Sequence, residues 1–166
     1  MSTPRRLLAQ PGDRPRTEVV LDRQARCTRA GLTRDGQRLA EVTLAGDPPA
    51  WLRPTLEAMA ELLELPENWN SYGARPIDPA ALAWALELLG STMNPETPAP
   101  TLVPTSGGGV ELEWHTRGID LEVHAVPPRG IYFYCEDHVT GSEDEQELEG
   151  DLSPLVNALA ELARRE

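Results

Sequence analysis

Apolar residues along this chain change their spacing several times, and each change marks an element boundary. From Glu18 to Leu44 they alternate with polar neighbours, as at Val19 and Leu21, and Asp35-Gly36 separates Leu32 from Leu39. Alternation by two is the mark of a strand with one buried face, and Asp-Gly accepts the positive φ of a two-residue hairpin turn. Val42 and Leu44 then share a face on the returning strand. Pro48-Pro49 breaks this pattern. Leu56, Met59, Ala60 and Leu63 follow at i, i+3, i+4 and i+7, with Glu57, Glu61 and Glu64 turned outward, and predict a helix over 54–65 that starts at Pro54. A second helix is predicted from Asp78 as N-cap and Pro79 at the first position, with Ile77 and Leu82 placed to form a hydrophobic staple. Leu82, Ala85, Leu86 and Leu89 make its stripe, and Gly90 is placed to end it.

After a proline-rich connector the period returns to two. Val110, Leu112 and Trp114 alternate with Glu111, Glu113 and His115; Ile119, Leu121 and Val123 with Asp120, Glu122 and His124; Ile131, Phe133 and Cys135 with Tyr132, Tyr134 and Glu136. Turns at Arg117-Gly118 and at 127–130 make these three strands an antiparallel meander with one wet face. Residues 101–105 add an edge strand ahead of the Gly107-Gly108-Gly109 turn. Residues 142–151, with six acids in ten positions, read as an acidic loop. Ser153 as N-cap with Pro154 opens a last helix with Leu155, Ala158, Leu159 and Leu162 on its buried stripe, closed by Arg164 and Arg165 where cations suit the helix dipole. The fold class expected is α+β, an antiparallel meander of four to six strands packed on one face against three helices. Residues 17–166 form one domain, preceded by a flexible Arg/Pro-rich arm over 1–16.

Composition narrows the function. At 166 residues and 40% hydrophobic, the chain supports one core without disulfides or metals. Cys27 and Cys135 have no paired spacing, and no apolar run reaches the roughly 20 residues of a membrane span, so the expectation is a cytoplasmic protein with no membrane association. All fifteen basic residues are arginine, which excludes chemistry that needs a lysine amine. Residues 1–46 hold nine arginines against five acids, and the remainder holds six against twenty-two. Phosphate contacts dominate nucleic-acid affinity, so the acidic body argues against such a partner and leaves only the arginine arm capable of it.

Two surfaces stand out. If Arg117-Gly118 is a two-residue turn, His115 faces Asp120, Glu113 faces Glu122 and Glu111 faces His124, which crowds four carboxylates and two imidazoles on one surface beside Tyr132 and Tyr134. This surface reads as a plain solvated face, as a docking face for a basic partner, or as a metal site. The second surface is the long connection 65–76, where Trp69 and Tyr72 are expected to anchor the loop in the core and otherwise to meet a partner.

The stretch Asn68-Trp69-Asn70-Ser71-Tyr72-Gly73-Ala74, followed by Pro76, Pro104 and Gly108-Gly109-Val110-Glu111-Leu112-Glu113-Trp114, resembles a family of small uncharacterised bacterial and phage-borne proteins. The likeness covers about residues 60–125 and implies no activity. The sequence reading is therefore a non-enzymatic interaction protein, accessory, antitoxin-like or immunity-like. Its basic partner would be bound through Glu111, Glu113, Asp120, Glu122, Tyr132 and Tyr134, or through Trp69 and Tyr72, with no catalytic residue, metal ligand or cofactor assigned. The alternative is a metal-assisted hydrolase using Glu113, Glu122, His115 and His124.

Overall fold

The computed structural model describes residues 16–126 and 130–165. The arm expected over 1–16 thus lies outside the described residues apart from Arg16, as does most of the turn at 127–130. The chain runs β1 (Thr17–Gln24), β2 (Cys27–Arg34), β3 (Gln37–Ala45), α1 (Leu52–Leu63), α2 (Pro79–Thr92), β4 (Thr101–Pro104), β5 (Val110–Thr116), β6 (Ile119–Val126), β7 (Gly130–Asp137), β8 (Ser142–Leu148) and α3 (Ser153–Arg164). The expected α+β meander is present as a five-stranded antiparallel sheet in the order β4-β5-β6-β7-β8. The first three strands do not join it. They form their own antiparallel sheet in the order β1-β2-β3.

Two of the three two-residue hairpins, β2–β3 and β5–β6, follow from their turn residues. Asp35 and Gly36 sit at φ 52° and 74°, and Arg117 and Gly118 at 55° and 71°, the paired positive values that match the twist of the flanking strands. An arginine in that conformation is strained, and α3 holds it in place: Arg117 Nη1 donates to the Leu162 carbonyl at 2.5 Å. Arg165 lies beside it and grips Asp137 with two bonds of 3.0 and 2.6 Å, so the predicted helix-end cation also fastens α3 to the end of β7.

Helices α1 and α2 form a middle layer. The first touches β1, β2 and β4, the second touches β3, β5, β6 and α3, and one continuous core joins both sheets through them. Buried Ala81, Leu82, Ala85, Leu86, Leu88 and Leu89, together with half-buried Ala83, Trp84 and Gly90, occupy most of the circumference of α2, the composition of a helix enclosed on two sides. Trp51 and Trp114 are each 2% exposed, and their indole N–H groups donate to the carbonyls of Asn94 and Pro98. No helix among the described residues is long and apolar enough to cross a membrane.

Four local expectations need correction. Helix α1 starts at Leu52, because Pro54 then falls in the first turn, where backbone N–H groups lack intrahelical partners anyway. Helix α2 keeps its expected start, with Asp78 Oδ1 accepting from the Ala80 amide at 2.9 Å, but runs past Gly90 to Thr92. Gly90 is there for a close approach and does not act as a stop: a Cβ at that position would lie well inside van der Waals contact of Val42 Cγ2 on β3. Ser153 is the first residue of α3 instead of its cap, and Asp151 Oδ1 accepts the Ser153 amide at 2.9 Å. The supposed acidic loop over 142–151 is largely β8, paired with β7 from Ile131↔Leu148 to Asp137↔Ser142. A row of acids on an edge strand repels the addition of further strands, which is how a free sheet edge is kept from templating aggregation.

Alanine outranks glycine in a helix interior by about 1 kcal/mol. At position 90 that gain is opposed by the clash with Val42, a stiff β-branched side chain held in a sheet. Gly90→Ala should therefore lower stability by about 1–3 kcal/mol in denaturant unfolding. Adding Val42→Ala should recover part of the loss, so that the double variant is more stable than the two single effects added together. A Gly90→Ala protein as stable as its parent would contradict this packing.

Candidate functional site

The outer face of the five-stranded sheet follows from register alone. One row across it is Val103, Glu111, His124, Tyr132 and Glu147; the next is Thr101, Glu113, Glu122, Tyr134 and Glu145; the third is His115, Asp120, Glu136 and Glu143. The opposite positions, among them Leu112, Trp114, Leu121, Val123 and Phe133, are buried, so charge has only the outer side to occupy. The expected facing pairs Glu111–His124, Glu113–Glu122 and His115–Asp120 are all present, with Tyr132 and Tyr134 on the same face.

The side chains sort into two groups along the strands. In the first, His124 Nε2 lies 2.5 Å from Glu111 Oε1, and the His124 ring leans on Tyr132 with centroids 5.2 Å apart. Partial burial, reinforced by the neighbouring Glu113 and Glu122 carboxylates, raises the Glu111 pKa against the opposing pull of His124. In the second group Asp120 is flanked by two imidazoles, with His115 Nδ1 at 2.9 Å and His138 Nε2 at 2.7 Å. His115 also reaches Glu113 at 3.2 Å, and His138 Nδ1 stands 3.4 Å from Glu136. Both tyrosine hydroxyls serve carboxylates, Tyr132 to Glu145 at 2.5 Å and Tyr134 to Glu136 at 3.1 Å. The hydrogen bond to Glu145 pushes the Tyr132 phenol up to about 12, and partial desolvation with the Glu136 bond does the same for Tyr134. Phenols so placed stay protonated as donors throughout the physiological range.

The four residues named for a hydrolase do not converge on one point. Glu122 and His124 belong with Glu111, whereas His115 belongs with Glu113 and Asp120. Sequence reasoning missed His138. Its signal was available, since Tyr132, Tyr134, Glu136 and His138 continue one alternation past the end of β7.

The 65–76 loop is a different object from the sheet face. Tyr72 is 92% exposed, so its expected role as a core anchor is corrected, and Trp69 is half-buried outside the main core cluster. The loop is tied instead by its asparagines. Asn68 Oδ1 accepts from the Gly73 amide at 2.6 Å, Asn70 Oδ1 from the Tyr72 and Ala74 amides at 2.9 and 3.2 Å, and Trp69 Nε1 donates to the Arg75 carbonyl at 3.1 Å. Arg75 and Asp78 amides then donate to the carbonyls of Ser106 and Gly108, which fastens the loop to the glycine turn before β5. Asn-Trp-Asn-Ser-Tyr-Gly-Ala is thus a self-bonded loop that presents Tyr72 to solvent.

A cavity of about 620 Å³ lies elsewhere, among Trp84, Ile131, Leu148, Leu152 and the Gly107–Gly109 turn, and none of the candidate partner-binding or hydrolase residues lines it. A second, of about 440 Å³, runs between α3 and β7–β8 past Cys135, whose thiol is pushed up by burial and then by Asp137 and Asp144, the opposite of an activated nucleophile. Comparison with protein-family models, with curated proteins and with solved structures finds no match to this chain.

The His115–Asp120–His138 group has a defined pH signature. The bond to Asp120 is the first cause holding each imidazole above its usual 6.5, and His138, then His115, hold Asp120 below its usual 3.8. The imidazolium contribution to stability is complete below the unfolded histidine value and fades as pH rises through the raised folded values. The carboxylate contribution holds above the unfolded aspartate value and fades as pH falls through the lowered one. Both are present between about pH 4 and 6.5. Asp120→Asn should therefore lower the melting temperature most in that window and progressively less at alkaline pH, and NMR titration should show both histidines returning toward their usual value. A melting difference independent of pH would refute the arrangement.

Proposed function

We propose that this chain is a non-enzymatic interaction protein, of the accessory, antitoxin-like or immunity-like kind, that docks a basic partner on the outer face of its five-stranded sheet. One observation carries the reading: the three rows of that face hold eight carboxylates and two tyrosines and, among the described residues, no arginine. Acidic residues elsewhere on the chain are commonly answered at home, as Glu64 is by Arg34 and Asp137 by Arg165. Among the described residues in those rows the basic side chains are the imidazoles of His115 and His124. An anionic surface of this extent steers cationic partners and accelerates their encounter, and tyrosine among charges supplies apolar contact with a polar tip. Tyr72, held outward by the asparagine loop, is the second contact in this reading. The hydrolase alternative draws less support, because its four residues divide between two groups.

The test begins by capturing partners from the source organism on the parent chain and on a Glu113→Gln, Glu122→Gln variant. The captured partner's association rate is then measured at low and moderate salt. The double variant should fold as well as the parent or better, since Glu113 and Glu122 repel across the hairpin. It should associate more slowly, with a weaker salt dependence. Tyr72→Ala should leave the melting temperature within error and lower affinity. A double variant that binds the same partner at the parental, salt-independent rate would move the interface off this face.

A further inference from the structure

Glu111 and His124 are direct cross-strand partners on β5 and β6, and Glu122 stands two residues before His124 on the same side of β6. One ligand atom from each of the three lies within 4.8 Å of the others. We infer that Glu111, Glu122 and His124 form a binding site for one divalent transition-metal ion, with zinc the ion their donor set fits best.

The donors define the class of ion. Two carboxylates match the charge of a divalent cation, and an imidazole selects borderline metals such as zinc over magnesium or calcium, which prefer oxygen alone. Zinc–nitrogen and zinc–oxygen bonds of about 2.0–2.2 Å place neighbouring ligand atoms roughly 3–3.5 Å apart. Small side-chain rotations bring the three to that spacing while the strand ladder holds their Cα atoms. Three protein ligands leave the remaining positions of the ion to water or to an incoming group.

The surroundings favour this trio over its neighbours. Tyr132, packed on the His124 ring at 5.2 Å, limits how far the imidazole can swing. Glu122 lies between Glu113 and Tyr134 in its row, and among the described residues it accepts no hydrogen bond and meets no arginine, whereas Glu113, Glu136 and Glu145 each have a donor. A bound cation would relieve the repulsion between Glu122, Glu111 and Glu113. The 2.5 Å contact between His124 Nε2 and Glu111 Oε1 is the one the ion must replace, so any proton held there leaves as the metal enters. Asp120, Glu136 and His138 also have ligand-like spacing, but both Asp120 oxygens already accept from imidazoles, and that group serves as the internal control.

This inference does not rest on the docking reading, because it is read on the chain alone. Tag-free protein is stripped with a chelator and titrated calorimetrically with zinc and, separately, with magnesium. Cobalt is added in parallel to report coordination geometry by absorption. One saturable zinc site is expected, tighter than any magnesium binding, accompanied by proton release and a higher melting temperature. His124→Ala and Glu122→Gln should each weaken zinc more than about tenfold, while His138→Ala leaves it unchanged. Circular dichroism verifies that each variant is folded, and the two independent ligand changes guard against the failure of one. Absence of saturable zinc binding, or binding that survives His124→Ala and is lost in His138→Ala, overturns the assignment.

Discussion

The enclosure of α2 on two sides is the constraint on which the rest of this molecule depends. A helix that buries Leu82, Ala85, Leu86, Leu88 and Leu89 and half-buries Ala83, Trp84 and Gly90 on their flanks must have partners around most of its circumference, and neither sheet alone supplies them. The three-stranded sheet contributes β3, brought close by Gly90, and the five-stranded sheet contributes the apolar sides of β5 and β6. Once the second sheet commits one side to that core, strand alternation leaves its charged positions no place except the other side. The acidic face is thus the complement of the core, built by the same register that packs Leu112 and Leu121 inward.

Like charges facing one another across β5 and β6 cost free energy in an isolated chain. Three features hold them in place. The backbone ladder spans the whole hairpin, the apolar side is buried from Val110 to Trp114 and from Ile119 to Val123, and the imidazoles of His115, His124 and His138 each lie against one of the carboxylates. The arginines of this chain answer carboxylates elsewhere, at Glu64, Asp137 and Glu161. A carboxylate answered by an imidazole has a partner whose charge changes with pH, whereas one answered by arginine does not.

The meander was legible because one inference fixed the whole arrangement. Reading Arg117-Gly118 as a two-residue turn sets every facing pair between β5 and β6, and the pairs follow with no further assumption. What escaped did so for physical reasons. β8 carries almost no apolar alternation, so nothing in residues 142–148 marks a strand; its pairing is supplied by β7, by buried Leu148 and by the Tyr132–Glu145 bond. The separation into two sheets is a question of which strands meet, and periodicity describes only how each strand is sided. Gly90 looked like a helix stop because a missing side chain serves equally at a C-terminus and at a close contact, and only the position of Val42 decides between them. Tyr72 was assigned inward on size, but in this loop the asparagine side chains supply the fixing that bulk supplies elsewhere.

The pair of imidazoles around Asp120 makes the face a store of protons as well as of negative charge. His115 and His138 hold their protons more tightly than free histidine because a carboxylate lies against each. A cationic group that settles among those carboxylates competes with the imidazolium ions for the same oxygens, and the protons are the cheaper cations to expel. Docking and deprotonation would then be one coupled equilibrium. Complexes formed there would tighten as the medium becomes more alkaline and loosen as it acidifies, with a buffer-dependent heat of binding as their calorimetric sign.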